Sequence, residues 1–247
     1  MSEITLKSKK KKKKKVPLQT KLPQNNKIVD IESYIDEHNN PTMTSSGYFQ
    51  LKYYMDKTSF SNDQEYTRFV KAVERMVRTS EHYKEYINIL KTHYGLNYCM
   101  LLGNITDDED VSIEMHHGPL MTLYDVVALI TNAAIAHNQP ISTFTVTETV
   151  LQEHFKHHVQ VTMLCKTAHQ AVHSNKIFLH PSQAIGDIAT LLHTYKDGID
   201  RELALGIDTY LKLAETHEHT QDSEKLLNLY SMKNWSTQKD EILELIV

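Results

Sequence analysis

The stretch "IEMHHGPL" (113–120) places two adjacent histidines, His116 and His117, at the end of an apolar run and then stops that run with Gly118-Pro119. Successive side chains of a β-strand point to opposite faces, so a strand that stayed regular to its end would separate the two imidazoles. Because Gly-Pro is typical of a turn, we expect the strand to lose its regularity here. Both imidazoles should then lie together.

A second pair of histidines follows in "LCKTAHQAVHSN" (164–175), with His169 placed 52 residues after His117. On a helix His169 and His173 lie one turn apart on the same face, with Cβ atoms about 5–6 Å apart, so both imidazoles can reach one cation. A metal site needs at least one further ligand, which His116 or His117 could supply. The remaining imidazole, beside the metal and with a pKa near neutrality, is suited to take a proton from an attacking water.

The apolar pattern around these pairs predicts a small sheet among helices. Runs at 96–106 and 111–117, separated by the acidic turn "DDED", favour a β-hairpin. Two segments with N-capping signals fill 122–158 and predict a helical hairpin. Residues 159–164 are predicted to form a short strand or an extended lead-in, followed by a helix at 166–174. The predicted fold class is therefore α+β and mostly helical.

Changes in composition divide the chain into four parts. Residues 1–45 are polar and Lys-rich and are expected to be a disordered tail and linker. Residues 46–95 are expected to form an N-terminal helical layer, and 176–247 a C-terminal one. Between them, 96–175 forms the expected core, with the helical hairpin 122–158 inserted in it.

The formal net charge of −4 is unevenly distributed. Residues 1–16 contain eight lysines, Lys7 and Lys9–Lys15, and one acid, Glu3, so this tail carries +7 and the rest of the chain carries −11. A run of lysines can hold a polyanion such as DNA through salt-sensitive, sequence-independent contacts. The alternative is a tail that only improves solubility. A partner protein could also deliver DNA to the negatively charged body.

Composition excludes several classes of protein. Cys99 and Cys165 are the only cysteines, too few for a disulfide scaffold or a four-thiolate zinc site, so a metal would be held mostly by histidine and carboxylate. No run approaches the roughly 18 apolar residues of a membrane span. We therefore expect a soluble, intracellular protein with no membrane partner, located in the host cytoplasm if a phage encodes it.

The order His-His, a long gap, an apolar lead-in and His-x-x-x-His resembles the HNH (ββα-metal) endonucleases, including the nuclease domains of colicin-type toxins. "MLCKTAHQAVH" (163–173) also resembles the "LCxxCHxxxH" ending of restriction-type HNH enzymes, with Ala168 in place of the second cysteine. The resemblance implies a ββα-metal core holding one divalent ion. It makes His116, His169 and His173 the metal ligands and His117 the general base. More loosely, the chain resembles uncharacterised HNH-like proteins of large bacteriophages.

Two features depart from the family pattern. The asparagine that orients the general base, nine residues before the helix histidine, is Gln160 here, with the same amide on a longer side chain. The gap between His117 and His169 is also roughly twice that of compact family members. The inserted helical hairpin accounts for the additional length.

Three functions follow from these observations. The first is a metal-dependent DNA endonuclease in which one divalent ion polarises the phosphodiester and His117, supported by Gln160, activates water. The second is a catalytically inactive structural or regulatory protein of the same fold that uses the metal for stability. The third is a helical interaction module whose histidines are unrelated. Three imidazoles suit zinc, nickel or manganese, and magnesium is a poorer match because it prefers oxygen ligands.

Overall fold

A computed structural model of the chain describes residue 54, residues 57–108, 110–217 and 234–246, and the backbone of 42–43 and 49–50. In chain order its strands and helices are β1 (Thr42–Met43), β2 (Phe49–Gln50), α1 (Asp63–Thr79), α2 (Glu81–Thr92), β3 (Ile113–His117), α3 (Leu123–Ala136), α4 (Thr143–Phe155), β4 (Val161–Cys165), α5 (Lys166–His173), α6 (Ile188–Thr194), α7 (Arg201–Glu215) and α8 (Trp235–Ile246). The described part is thus mostly helical with small antiparallel sheets, as an α+β protein should be.

The central sheet pairs two strands that are far apart in the sequence. β3 and β4 run antiparallel, with His116 opposite Thr162 and His117 opposite Val161. The predicted hairpin between 96–106 and 111–117 is therefore wrong, since the first of these runs contributes only an isolated bridge between Tyr98 and Thr106.

The acidic turn explains part of this difference. Asp108 Oδ1 accepts hydrogen bonds from the backbone N–H groups of Asp110 and Val111, and Asp107 Oδ1 accepts one from Ile113. The turn closes on its own side chains, as Asp residues often do. Every residue of β4 is buried, so β4 offers β3 an apolar partner that the partly exposed 96–106 run does not.

The predicted helical insertion lies between β3 and β4 as α3 and α4. Thr122 and Asp125 form the expected capping box of α3. For α4 the N-cap is Ser142, which forms a capping box with Thr145, and the helix begins at Thr143. Because the insertion returns the chain antiparallel to β3, the two strands can pair despite their separation in the sequence.

Helices surround this unit on both sides. The apolar face of α1 is buried through Phe69, Val70, Val73 and Val77, and α1 packs on α3 and α4. In α7 the buried residues are Ile207, Leu211 and Ala214, whereas Leu213 is 45% exposed. The predicted tail and linker at 1–45, apart from the backbone of 42–43, lies outside the described residues, as does the part of the predicted C-terminal layer at 218–233.

No helix in the described ranges combines the length and the apolar character needed to cross a membrane.

Candidate metal centre

Three histidines from two elements meet at one end of the central sheet. One potential ligand atom from each of His116, His169 and His173 lies within 4.8 Å of the other two. The ring centroids are 5.1 Å apart for His116–His169, 4.9 Å for His116–His173 and 4.6 Å for His169–His173. Within the described residues, this is the one group of three or more His, Cys, Asp or Glu side chains that could hold a metal ion.

The secondary structure accounts for this meeting. His169 and His173 lie at i and i+4 of α5 and therefore on one helix face, as predicted, with their Nε2 atoms 3.0 Å apart. Helix α5 begins immediately after β4 and packs against both strands. His116 lies on the face of β3 that is directed to this helix.

Glu114 fixes the orientation of one of the three imidazoles. His169 Nδ1 lies 2.6 Å from Glu114 Oε2, so the ring donates its Nδ1–H to the carboxylate. The lone pair of His169 is then on Nε2, the atom directed to His173. Carboxylates commonly orient metal-binding histidines in this way. Strand alternation puts Glu114 on the same face as His116, but no local pattern in the sequence pairs it with the helix histidines.

Burial decreases steadily across the three ligands. His116 is buried, His169 is half-buried and His173 is exposed. Burial and the neighbouring charges of His169 and His173 lower the pKa of His116 to about 4. Burial and the His169 charge also lower the pKa of His173. These two imidazoles are therefore neutral at physiological pH, which is the form that binds metal.

His117 lies on the opposite face of β3. The strand remains regular to its last residue, so the expectation that both imidazoles stay together is wrong. The ring of His117 stacks on Tyr83, and its Nε2 lies 3.0 Å from Nε2 of His154 on α4. Burial lowers the pKa of His117 well below its usual range, with the His154 charge adding to the effect.

The hydrogen bonds of His154 determine which ring nitrogens of His117 and His154 carry a proton. His154 Nδ1 lies 2.7 Å from the carbonyl oxygen of Val150 and must donate to it. Its Nε2 is then the acceptor for the Nε2–H of His117. Both rings are neutral and hydrogen-bonded to each other in the core. This partnership could not be predicted, because no local pattern in the sequence brings α4 against β3.

Gln160 is buried at the start of β4 and binds backbone groups. Its Oε1 accepts a hydrogen bond of 3.4 Å from the N–H of Leu120, and its Nε2 donates one of 3.3 Å to the carbonyl oxygen of Pro181. Neither bond reaches His117. These contacts tie the turn after β3 to the segment after α5.

The residues present fit a transition-metal ion. Three imidazoles are ligands suited to zinc, nickel or copper and not to calcium or magnesium. Cys165, directly before α5, is a buried core residue and is not one of the grouped ligands. The three histidines predicted as ligands, His116, His169 and His173, are the three that lie together, and the predicted base His117 lies apart from them.

Comparison with known proteins gives a family. The family model of the bacteriophage G278-like virion protein matches residues 11–241, nearly the whole chain. Neither the curated proteins nor the solved structures include a match to this chain. The family match confirms the expected bacteriophage origin and does not concern HNH nucleases. This chain belongs to the bacteriophage G278-like virion protein family.

Proposed function

We propose that this virion protein binds one transition-metal ion, with zinc the best fit, through His116, His169 and His173, and that the ion has a structural role. The observation that carries the proposal is the approach of three ligand atoms to within 4.8 Å of one another from a strand and a helix. Zinc held by histidines can stabilise a fold in this way.

Helix α5 is the element that needs this support. It has eight residues, its only buried side chain is Ala168, and no side chain caps its N-terminus. A helix this short is marginal without tertiary contacts. An ion held by His169 and His173 of α5 and by His116 of β3 would fasten the helix to the sheet.

The surroundings of His117 favour a structural role over a hydrolytic one. A general base must reach the proton that it abstracts, directly or through one water. His117 is only 5% exposed and donates its Nε2–H to His154. Gln160, the residue expected to orient it, binds backbone groups elsewhere.

Thermal unfolding tests the structural proposal. With zinc, the melting temperature of the full chain should rise above that of the chelator-treated protein, because ligand binding to the folded state stabilises it. The variant His173→Ala should lose this response. His137→Ala, in which an exposed histidine paired with Asp197 is removed, should keep it. A melting temperature that does not respond to metal or chelator would contradict the proposal.

DNA hydrolysis is the second candidate function. Two antiparallel strands followed directly by a helix, with ligands on the first strand and on the helix, support a ββα-metal arrangement like that of the HNH enzymes. Three protein ligands also leave an ion with a free position, as catalytic zinc sites have. The Lys9–Lys15 tail could bring DNA to the negatively charged body.

A plasmid-cleavage assay with Mg²⁺, Mn²⁺, Ni²⁺ and Zn²⁺ separates the two functions. The structural proposal expects no metal-dependent nicking with any of these ions. Nicking that disappears in His169→Ala and persists in His137→Ala would establish the hydrolytic function instead. Loss of nicking in a folded His117→Ala variant would also identify His117 as the general base.

A further inference from the structure

We infer that the hydroxyl group of Thr162 orients His116 in the proposed metal site, by accepting a hydrogen bond from the Nδ1–H of this imidazole while Nε2 binds the ion. The inference rests on the proposed binding of a metal ion by His116, His169 and His173. Thr162 then holds the strand ligand in place in the way that Glu114 holds His169.

Thr162 lies directly opposite His116 in the central sheet. Side chains of directly opposite residues in antiparallel strands lie on the same face, with Cβ atoms about 4.5–5.5 Å apart. Because His116 is directed to α5, Thr162 is directed to the same side. Nδ1 is the ring nitrogen nearer the backbone and is therefore the one that a short side chain on the next strand can reach. Nε2, at the outer end of the ring, is left for the ion.

The hydroxyl group of Thr162 is an unusual feature of β4, in which the other four residues are apolar. Thr162 is fully buried, and its Oγ1 has no hydrogen-bond partner among the described residues. A buried hydroxyl without a partner costs about 1–3 kcal/mol, so such groups are rare in native proteins. Valine has the same shape, is also favoured in strands and would avoid this cost. The neighbouring imidazole gives the hydroxyl a role that valine cannot fill.

His116 is the most buried of the three ligands and needs an acceptor from the protein. A metal-bound imidazole almost always donates its other N–H to a carboxylate, a carbonyl oxygen or water. His169 has Glu114 for this purpose, and His173 is exposed to water. No hydrogen bond joins His116 to another group in the part of the chain that the structure describes. The Nδ1–H of His116 and the hydroxyl of Thr162 can thus satisfy each other.

Titration of the chelator-treated full-length protein with Zn²⁺ tests the inference through two changes at one position. Thr162→Val keeps the shape of the side chain and removes the acceptor, so zinc affinity should fall by about 10–100-fold. Thr162→Ser keeps the hydroxyl and should bind zinc with an affinity close to that of the parent chain. Thr131→Val is the matched control, because it removes another fully buried hydroxyl without a described partner, on α3, and should leave the affinity unchanged.

Thermal unfolding in chelator separates an orienting role from a packing role. Thr162→Val should be at least as stable as the parent chain under these conditions, because the change removes a buried hydroxyl that has no partner. Weaker zinc binding by a variant that is no less stable is expected only if the hydroxyl acts on the site.

Three results would overturn the inference and leave the proposed function intact. The first is zinc binding by Thr162→Val with the affinity of the parent chain. The second is an equal loss of affinity in Thr162→Val and Thr162→Ser, and the third is a lower melting temperature of Thr162→Val in chelator. A parent chain that binds no zinc would overturn both the inference and the proposed function.

Discussion

His117 Nε2 and His154 Nε2 lie 3.0 Å apart in the core and join β3 to α4. Each ring is also packed between aromatic side chains, with Tyr83 against both and Tyr86 against His154. The strand that provides a metal ligand on one face thus provides a structural hydrogen bond on the other. His116 and His117 are neighbours in sequence and have separate roles.

Removing one member of this pair should destabilise the fold. In His154→Leu the Nε2–H of His117 stays buried without its acceptor, which should lower the free energy of unfolding by about 1–3 kcal/mol. The double variant His117→Leu/His154→Leu should lose less than the sum of the two single changes, because no buried donor is left unpaired. Urea unfolding measures all three, and strictly additive losses would contradict the paired arrangement.

Acid should destabilise the protein through the same pair. Burial lowers the pKa of His154 to about 4, whereas the unfolded chain binds this proton near pH 6.5. The unfolded state therefore takes up more protons between these values, and stability falls as pH falls from 6.5 to 4. His154 alone accounts for a loss of about 3 kcal/mol over this interval.

The charged neighbours of His154 do not reverse this trend. They are Arg78 on α1, which lowers the pKa of His154, and Glu153 beside it on α4, which raises it. His117 across the pair is itself neutral, because its pKa is also lowered well below the usual range. The pKa of Glu153 is itself lowered by its hydrogen bonds to Lys156 and His158, which outweigh its burial, so protonating it also costs stability as pH falls. Replacing His154 with Phe should reduce the slope of unfolding free energy against pH in chelator-treated protein. An unchanged slope would contradict the assignment.

Glu114 should control metal affinity without binding the ion. In Glu114→Gln the side chain keeps its size but no longer offers a carboxylate to His169 Nδ1. Loss of such an orienting group typically weakens metal binding by about 10–100-fold. Titration with Zn²⁺ measures the change, and Glu148→Gln, on the exposed face of α4, is the matched control. Equal affinities of the two variants would show that Glu114 has no such role.

Gly118 should be needed for the position of His116. Its φ of +134° is a conformation that side chains rarely adopt, and a Cβ there would lie 3.2 Å from His116 Nε2. Gly118→Ala should therefore cost about 1–3 kcal/mol of stability and weaken metal binding. Gly206→Ala, in the interior of α7 with open space around it, should instead gain up to about 1 kcal/mol. Thermal unfolding of both variants checks the contrast.

The helices and the His-x-x-x-His pair could be predicted because their signals are local. Apolar spacing defines the face of α1 that packs around Phe69, and the Thr122–Asp125 capping box marks the start of α3. The i and i+4 positions of His169 and His173 follow from helix geometry alone. Each of these depends on residues within about two helical turns of one another.

The strand pairing and the direction of His117 could not be predicted in the same way. β3 pairs with β4 because the α3–α4 insertion returns the chain, and no local pattern distinguishes this partner from the nearer run at 96–106. Gly118-Pro119 favoured an irregular strand end, yet pairing with Val161 keeps β3 regular through His117. The hydrogen bond to Nε2 of His154 then holds the His117 ring on the core side of the sheet. Long-range packing decided which three of the four histidines meet.

Calorimetric titration of the chelator-treated full-length protein with Zn²⁺ tests the three-histidine site most directly. We predict about one ion bound per chain, with binding lost in His169→Ala and in His173→Ala and retained in His137→Ala and His154→Leu. Zinc binding that is absent from the parent chain, or that survives unchanged in both His169→Ala and His173→Ala, would contradict the site.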